Sequence, residues 1–292
     1  MYPASFAYFV PRSVDEAVSA LARFGDDAKV LAGGQSLIPL MKLRFAEPPA
    51  LVDINRVEGL DQLGEEDGYL RIGALVRHNT CERSELLRAP RYGVLGDAAP
   101  HISDPLVRNL GTVAGSLAHA DPQGDWGSVM LAIGADVEAR GPNGTRRVPI
   151  EQFFRGPFTT LLEPTEVVTA VLVRQPGARA SGTYLKLERK VGDFATAGVA
   201  VHLAFDGSSR RVERAGIGLT GVGPTNLKAT RAEQALAGAE LDDAAIATAA
   251  ELAAQAAEPL DDLRGSAEYK RHIVRVFTER GLRTARAAAG AG

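Results

Sequence analysis

A short apolar run, Lys29-Val30-Leu31, leads without a spacer into Ala32-Gly33-Gly34-Gln35-Ser36, and small residues crowd together again at Gly111-Thr112-Val113-Ala114-Gly115-Ser116. A strand that runs straight into paired glycines and then into a helical turn restricts the start of the chain to an α/β arrangement. Glycine tolerates positive φ and lets the main chain come close to a neighbour. Two such loops can bring backbone N–H groups near a diphosphate. Ser36, Thr112 and Ser116 add hydroxyl donors, and the turn after the first loop would add the positive end of a helix. Neither loop is G-x-G-x-x-G in a βαβ unit, and neither is G-x-x-x-x-G-K-[ST], so an ordinary Rossmann or P-loop site is not supported. Taken alone, a Gly-Gly turn after a strand is more often simply a turn.

The surrounding pattern supplies a frame for these loops. Ser13 with Glu16 three residues on forms a capping box, Val14, Ala17, Val18 and Leu21 share one helix face, and Gly25 ends that helix. Leu37 to Leu43 reads as a helical turn and Leu51 to Ile54 as a second buried strand. From Tyr69, alternation of Leu70, Ile72 and Ala74 predicts a half-buried strand, with helical stretches over 82–88, 91–99 and 126–133 and strands over 136–140 and 166–173. Pro176 to Gly182 is rich in breakers and reads as a linker. Beyond it, runs over 183–188, 195–205 and 212–220 predict an antiparallel meander, and alanine-rich helices over 229–237, 242–257 and 266–287 follow. Residues 288–292 are expected to fray.

The 292 residues suffice for two packed domains, and a net charge of -3 with both signs scattered gives no reason to expect nucleic acid. No apolar run approaches the ~20 residues of a membrane span, and the start lacks a signal pattern, so a cytoplasmic protein is expected. The single cysteine, Cys81, excludes an internal disulfide, a thiolate zinc site or an iron–sulfur cluster held by this chain alone. His119 and Asp121 have no third ligand at useful spacing, and no Ser-His-Asp arrangement or paired catalytic carboxylates are recognisable. Redox work would therefore fall to a bound organic cofactor.

Three stretches carry a family resemblance. Ala32-Gly33-Gly34-Gln35-Ser36-Leu37-Ile38-Pro39-Leu40-Met41-Lys42-Leu43-Arg44, Val107-Arg108-Asn109-Leu110-Gly111 through Ser116 to Pro122, and Lys186-Leu187-Glu188-Arg189-Lys190-Val191-Gly192-Asp193-Phe194-Ala195 together resemble the FAD-binding medium subunits of molybdenum hydroxylases, in particular those of aerobic carbon monoxide dehydrogenase. The resemblance covers nearly the whole chain. It implies an α+β fold: a two-part, PCMH-type FAD-binding domain over 1–176 (1–56 and 57–176), then a smaller domain over 183–287 with a three-stranded antiparallel sheet and helices. It also implies that the first loop (Val30, Leu31, Ala32, Gly33, Gly34, Gln35, Ser36, Leu37) and the second (Gly111, Thr112, Ala114, Gly115, Ser116) wrap the diphosphate of non-covalently bound FAD. Asp125 would make a polar contact to the cofactor and Ile102 would pack on it. Val168 and Lys186 would stand at the flavin end, with Phe194 over one face of the ring.

As partners the resemblance implies a large subunit with the molybdenum cofactor and a small subunit with two [2Fe-2S] clusters, in a dimer of heterotrimers. Electrons would pass from those clusters to FAD and on to a quinone or another acceptor, in the cytoplasm or at the inner face of the membrane. The sequence departs from the family where relatives have two glycines and this chain has Ala114-Gly115, at Phe194 where tyrosine is common, and at Gln35 where histidine is common. Each residue also has a plainer reading: Asp125 as a helix cap, Lys186 as a solvated strand residue, Phe194 as core, and Asp104 and Arg108 as loop and ion-pair residues. Other functions stay open: a self-sufficient FAD oxidase of the same fold, a medium subunit serving an N-heterocycle or aldehyde dehydrogenase, or a regulatory nucleotide-binding module.

Overall fold

The protein is described here by a computed structural model covering residues 2–207 and 211–290. Its first layer is a small parallel sheet. Strand β1 (Ala7–Phe9), helix α1 (Val14–Phe24), β2 (Lys29–Leu31), α2 (Leu37–Lys42) and β3 (Ala50–Asp53) follow one another, and the strands lie in the order β1-β3-β2. Helix α1 starts as its capping residues dictate: Ser13 Oγ accepts the Glu16 N–H at 3.1 Å, and the Glu16 carboxylate reaches back to the Arg12 N–H at 2.8 Å. Its buried face is Ala17, Val18, Ala20 and Leu21. Strand β1 has no counterpart in the sequence reading, being short and largely exposed.

A second, wholly antiparallel sheet is built from β4 (Leu63–Glu66), β5 (Tyr69–Gly73), β6 (Ala135–Gly141), β7 (Gly144–Pro149) and β10 (Val167–Arg174) in the order β4-β5-β10-β6-β7, beside a small hairpin of β8 (Phe154–Gly156) and β9 (Thr159–Thr160). Strand β10 is buried along seven of its eight residues, which accounts for its continuous apolar run. Between β5 and β6 the chain forms helices α3 (His78–Arg83), α4 (Gly93–Ala98), α5 (Pro105–Leu110), α6 (Val113–His119) and α7 (Asp125–Ile133), with α8 (Ile150–Phe153) after β7. The helix expected over 82–88 lies earlier, at α3, and only a 3-10 turn covers Leu86–Arg88.

The third sheet begins inside the expected linker: β11 spans Ala180–Leu187, so only residues 175–179 separate the strands of the second and third sheets. It pairs antiparallel with β12 (Ala197–Phe205), β13 (Val212–Thr220) and a two-residue strand β14 (Leu227–Lys228), which adds a short fourth member to the expected three. Val199, Val201 and Leu203 face the helices α9 (Thr230–Leu236), α10 (Asp243–Ala256) and α11 (Ala267–Gly290), forming one core. Ala200 and Tyr184, on the opposite face, belong to the core of the first two sheets. Helix α11 continues through Gly290 across part of the stretch expected to fray, whose last residues, 291 and 292, lie outside the described residues.

Helix α7 explains how the sheets are joined, since all nine of its residues are buried. It lies directly on β13, where a Cβ at Gly216 would fall 1.8 Å from Ala132 O and one at Gly218 1.9 Å from Ser128 O. Alternating glycines on one face of a strand thus let a helix backbone approach as close as backbone can.

Candidate functional site

A cleft of about 680 Å³ opens where the three sheets meet, a size typical of pockets that enclose a small ligand. One wall is the loop between β2 and α2. The N–H groups of Gly33, Gly34, Gln35, Ser36 and Leu37 have no hydrogen-bond partner among the described residues, whereas from Ile38 onward the N–H groups bond back into the helix. Gly34 has φ +71°. Successive unpaired N–H groups around a left-handed residue form a concave anion nest, and the Ser36 hydroxyl makes no cap bond that would compete.

The second motif has fewer free donors. Thr112 is the N-cap of α6 and accepts the Gly115 N–H at 3.0 Å on its hydroxyl, Ser116 N–H donates to Thr112 O at 3.0 Å, Gly111 N–H to Val107 O at 2.7 Å and Val113 N–H to Val76 O at 3.2 Å. Both walls thus present unbonded backbone donors among the described residues, five on the first and two on the second. The second motif contributes a closely fitted wall, the hydroxyls of Thr112 and Ser116, and the Thr112 and Ala114 N–H groups, which have no hydrogen-bond partner among the described residues.

The walls touch. A Cβ at Gly33 would lie 2.3 Å from Leu110 O and 2.7 Å from Gly111 Cα, so only glycine fits. A polar clamp holds them from behind: Asn55 Nδ2 donates to Ala32 O at 2.8 Å, Arg77 donates to Asn55 Oδ1 at 2.6 Å, and the same guanidinium donates to Leu110 O. In a trans peptide C=O and N–H point opposite ways, so fixing the Ala32 carbonyl on Asn55 turns the Gly33 N–H away from the clamp. Sequence reasoning missed Asn55 and Arg77, which sit in no motif.

At the other end, Lys186 has a side chain only 1% exposed, with its ammonium 2.9 Å from Asp125 Oδ2, 2.9 Å from His101 O and 3.5 Å from Glu188 Oε2. Asp125 is the first residue of α7 and caps nothing; its other oxygen accepts from Tyr184 at 2.5 Å. Burial raises the Asp125 pKa, an effect the neighbouring Lys186 opposes, and burial next to the Asp125 carboxylate raises that of Tyr184. The plainer readings of Lys186 as solvated and Asp125 as a cap thus do not describe this chain. Phe194 is not core either, being 49% exposed. Gly192 (φ +85°) turns the segment before it against Ser103, and Asp193, held by Arg189 at 3.0 Å and Arg264 at 3.1 Å, accepts the Phe194 N–H at 2.8 Å. Asp104 caps α5 and Arg108 pairs with Glu82 at 2.8 Å, as their loop and ion-pair reading expects.

All of the residues singled out from sequence border this cleft: 30–37, Ile102, Gly111, Thr112, Ala114, Gly115, Ser116, Asp125, Val168, Lys186 and Phe194. It is also lined by residues that no motif marked, among them His78, Ser103, Gln123 and Glu163, and by His119 and Asp121 from the end of the second motif. Burial pushes the His78 pKa down to about 4, helped by Arg108 and Arg77. Cys81 does not line the cleft, and burial pushes its thiol up to about 12. No group of three or more metal-ligating side chains occurs among the described residues.

An anion nest facing a close-fitting wall, continued by a slot with a buried ammonium and an exposed aromatic ring, is an arrangement suited to a long diphosphate-linked ligand. The profile described as "FAD binding domain in molybdopterin dehydrogenase" matches residues 4–175, and that of the "CO dehydrogenase flavoprotein C-terminal domain" matches 182–285. The chain belongs to the family of FAD-binding medium subunits of molybdenum hydroxylases. It is 42% identical to the carbon monoxide dehydrogenase medium chain of Hydrogenophaga pseudoflava over 285 residues, 98% of each chain. It is 38% identical to the 6-hydroxypseudooxynicotine dehydrogenase complex subunit alpha of Paenarthrobacter nicotinovorans, covering 97% of this chain and 95% of that one. The solved structure of carbon monoxide dehydrogenase from Hydrogenophaga pseudoflava superposes with a TM-score of 0.94 at 44% identity, covering 99% of both chains.

Proposed function

We propose that this chain is the electron-relay subunit of an aerobic carbon monoxide dehydrogenase, carrying FAD non-covalently in the cleft between its sheets. The full-length likeness to a carbon monoxide dehydrogenase medium chain carries the substrate assignment. The nest of five unpaired N–H groups and the glycine-only contact at Gly33 suit a diphosphate. FAD supplies the exchange between single electrons and electron pairs. The chain's own residues bind and orient: the loop of residues 30–37 takes the diphosphate, Thr112 and Ser116 add hydroxyls, and Ile102 and Val168 pack on the cofactor. Lys186, held by Asp125, places a fixed positive charge at the flavin end, and Phe194 covers one ring face.

In this reading electrons arrive from [2Fe-2S] clusters on a small partner, a large partner holds the molybdenum cofactor, and two such heterotrimers pair. A quinone or another acceptor takes the electrons. The site of work is the cytoplasm or the inner face of its membrane; no helix among the described residues is long and apolar enough to cross a bilayer.

The test is to isolate the chain with the proteins that accompany it and follow bleaching of the flavin absorbance under carbon monoxide, nicotine-type heterocycles and aldehydes. Bleaching by carbon monoxide is the expected result. Bleaching by a heterocycle alone moves the protein to the second reading, which the likeness to the 6-hydroxypseudooxynicotine enzyme favours. A single chain that turns over substrate by itself would refute both.

A further inference from the structure

His78 is 4% exposed and lines the cleft, yet one of its ring nitrogens has no partner. The Trp126 indole N–H donates to His78 Nδ1 at 3.0 Å. Indole nitrogen only donates, so Nδ1 must be the acceptor and the ring's hydrogen must sit on Nε2. That N–H makes no hydrogen bond among the described residues. Nor is it sealed off, since among the described residues the fully buried side-chain atoms without partners are Glu188 Oε2, Arg264 Nε and Thr278 Oγ1. Its place is equally defined: a Cβ on Gly111 would fall 2.8 Å from both Cδ2 and Nε2 of His78, and Gly111 is the residue that Gly33 touches across the cleft. The backbone N–H of His78 donates to Gly111 O at 3.0 Å, which holds the residue beside that contact.

We infer that His78 is a further cofactor-binding residue, its Nε2–H donating to the diphosphate at the junction of the two walls with Trp126 as the positioning residue that fixes its tautomer. This assignment rests on the reading of the cleft as a FAD site. It adds a side-chain donor to the wall that has fewer unbonded N–H groups, those of Thr112 and Ala114 against five on the other wall among the described residues. A neutral donor suits this position: it binds an anion without adding a third charge beside Arg77 and Arg108.

The full chain, stripped of flavin, is titrated with FAD, ADP and riboflavin as wild type, His78→Phe and His78→Gln. Glutamine keeps an acceptor for Trp126 and a donor toward the cleft. Expected is a loss of about 10-fold or more in FAD and ADP affinity for His78→Phe, the scale of one hydrogen bond to a charged group. Riboflavin affinity stays unchanged, and His78→Gln recovers most of the loss. Should His78→Phe not fold, His78→Glu, isosteric with the glutamine variant, takes its place and is expected to lose ADP binding. Unchanged ADP affinity, an equal loss for riboflavin, or a glutamine variant as weak as phenylalanine would each overturn the assignment. A wild type that binds riboflavin but not ADP would overturn the diphosphate cradle itself, and the assignment with it.

Discussion

Gly33→Ala is the sharpest perturbation of the cleft, because it adds one methyl group where both walls are backbone. The new Cβ would lie 2.3 Å from Leu110 O, 2.7 Å from Gly111 Cα and 2.9 Å from Leu110 C. Ordinary contact needs about 3.4 Å or more, so the walls must part by roughly 1 Å, and neither side has a rotamer that could give way. Parting them strains the Arg77 bond to Leu110 O and the Asn55 bond to Ala32 O. Overpacking of this kind costs about 1–3 kcal/mol, and a hydrogen bond from a guanidinium contributes a similar amount. If the apo chain relieves the strain by opening, the cofactor must close it again, and FAD affinity falls about 5- to 150-fold. The assay is quenching of flavin fluorescence in a titration, with Gly177→Ala as control, since that glycine has open space around it. Equal affinity of the two variants, with equal melting temperatures, would refute the argument that close approach of the walls shapes the site.

Two further outcomes follow from the buried charges. Lys186→Met leaves the Asp125 carboxylate buried without its cation and is expected to lower unfolding free energy by about 3–5 kcal/mol in urea; adding Asp125→Asn should recover most of it, and a double variant no better than the single one contradicts the pairing. His78 and His202 are both held neutral by burial, with pKa values of about 4 against 6.5 for a free histidine. A folded-state pKa below the unfolded one gives stability that is complete above about pH 6.5 and is lost as pH falls toward about 4. Each should therefore remove about 2 kcal/mol between about pH 7.5 and about pH 5. His202→Gln should flatten the pH profile by that share; an unchanged slope would mean that His202 does not titrate as described.

Much of this architecture was legible because its signals are local. Ser13 and Glu16 announced α1, the runs over 183–188, 195–205 and 212–220 announced the third sheet, and the motifs around Gly33, Gly111 and Phe194 converge on one cleft. Helices α5 and α6 went unseen although Asp104-Pro105 and Thr112 are good cap signals, since small residues at 111–116 read more readily as a loop. Strands β1 and β14 are too short to carry a period. Asn55, Arg77 and His78 could not be found from spacing at all. Their roles arise from contacts made across 22 to 48 positions of chain, and one sequence holds no record of which distant residues meet.

The glycine floor beneath α7 bears on how electrons would move through the molecule. A helix seated within backbone contact of β13, and sealed on every side, leaves no seam along which the parts bearing residues 33–37 and Lys186 could swing apart. The span from nest to ammonium is then set once, when the chain folds, and is not renegotiated at each turnover. A redox centre held in such a frame would exchange charge with little rearrangement of its surroundings. The same construction ties the sheets' fates together: cut at residues 175–179, the first part would be left with the face of α7 that seats on β13, Ser128 and Ala132 among it, turned toward water.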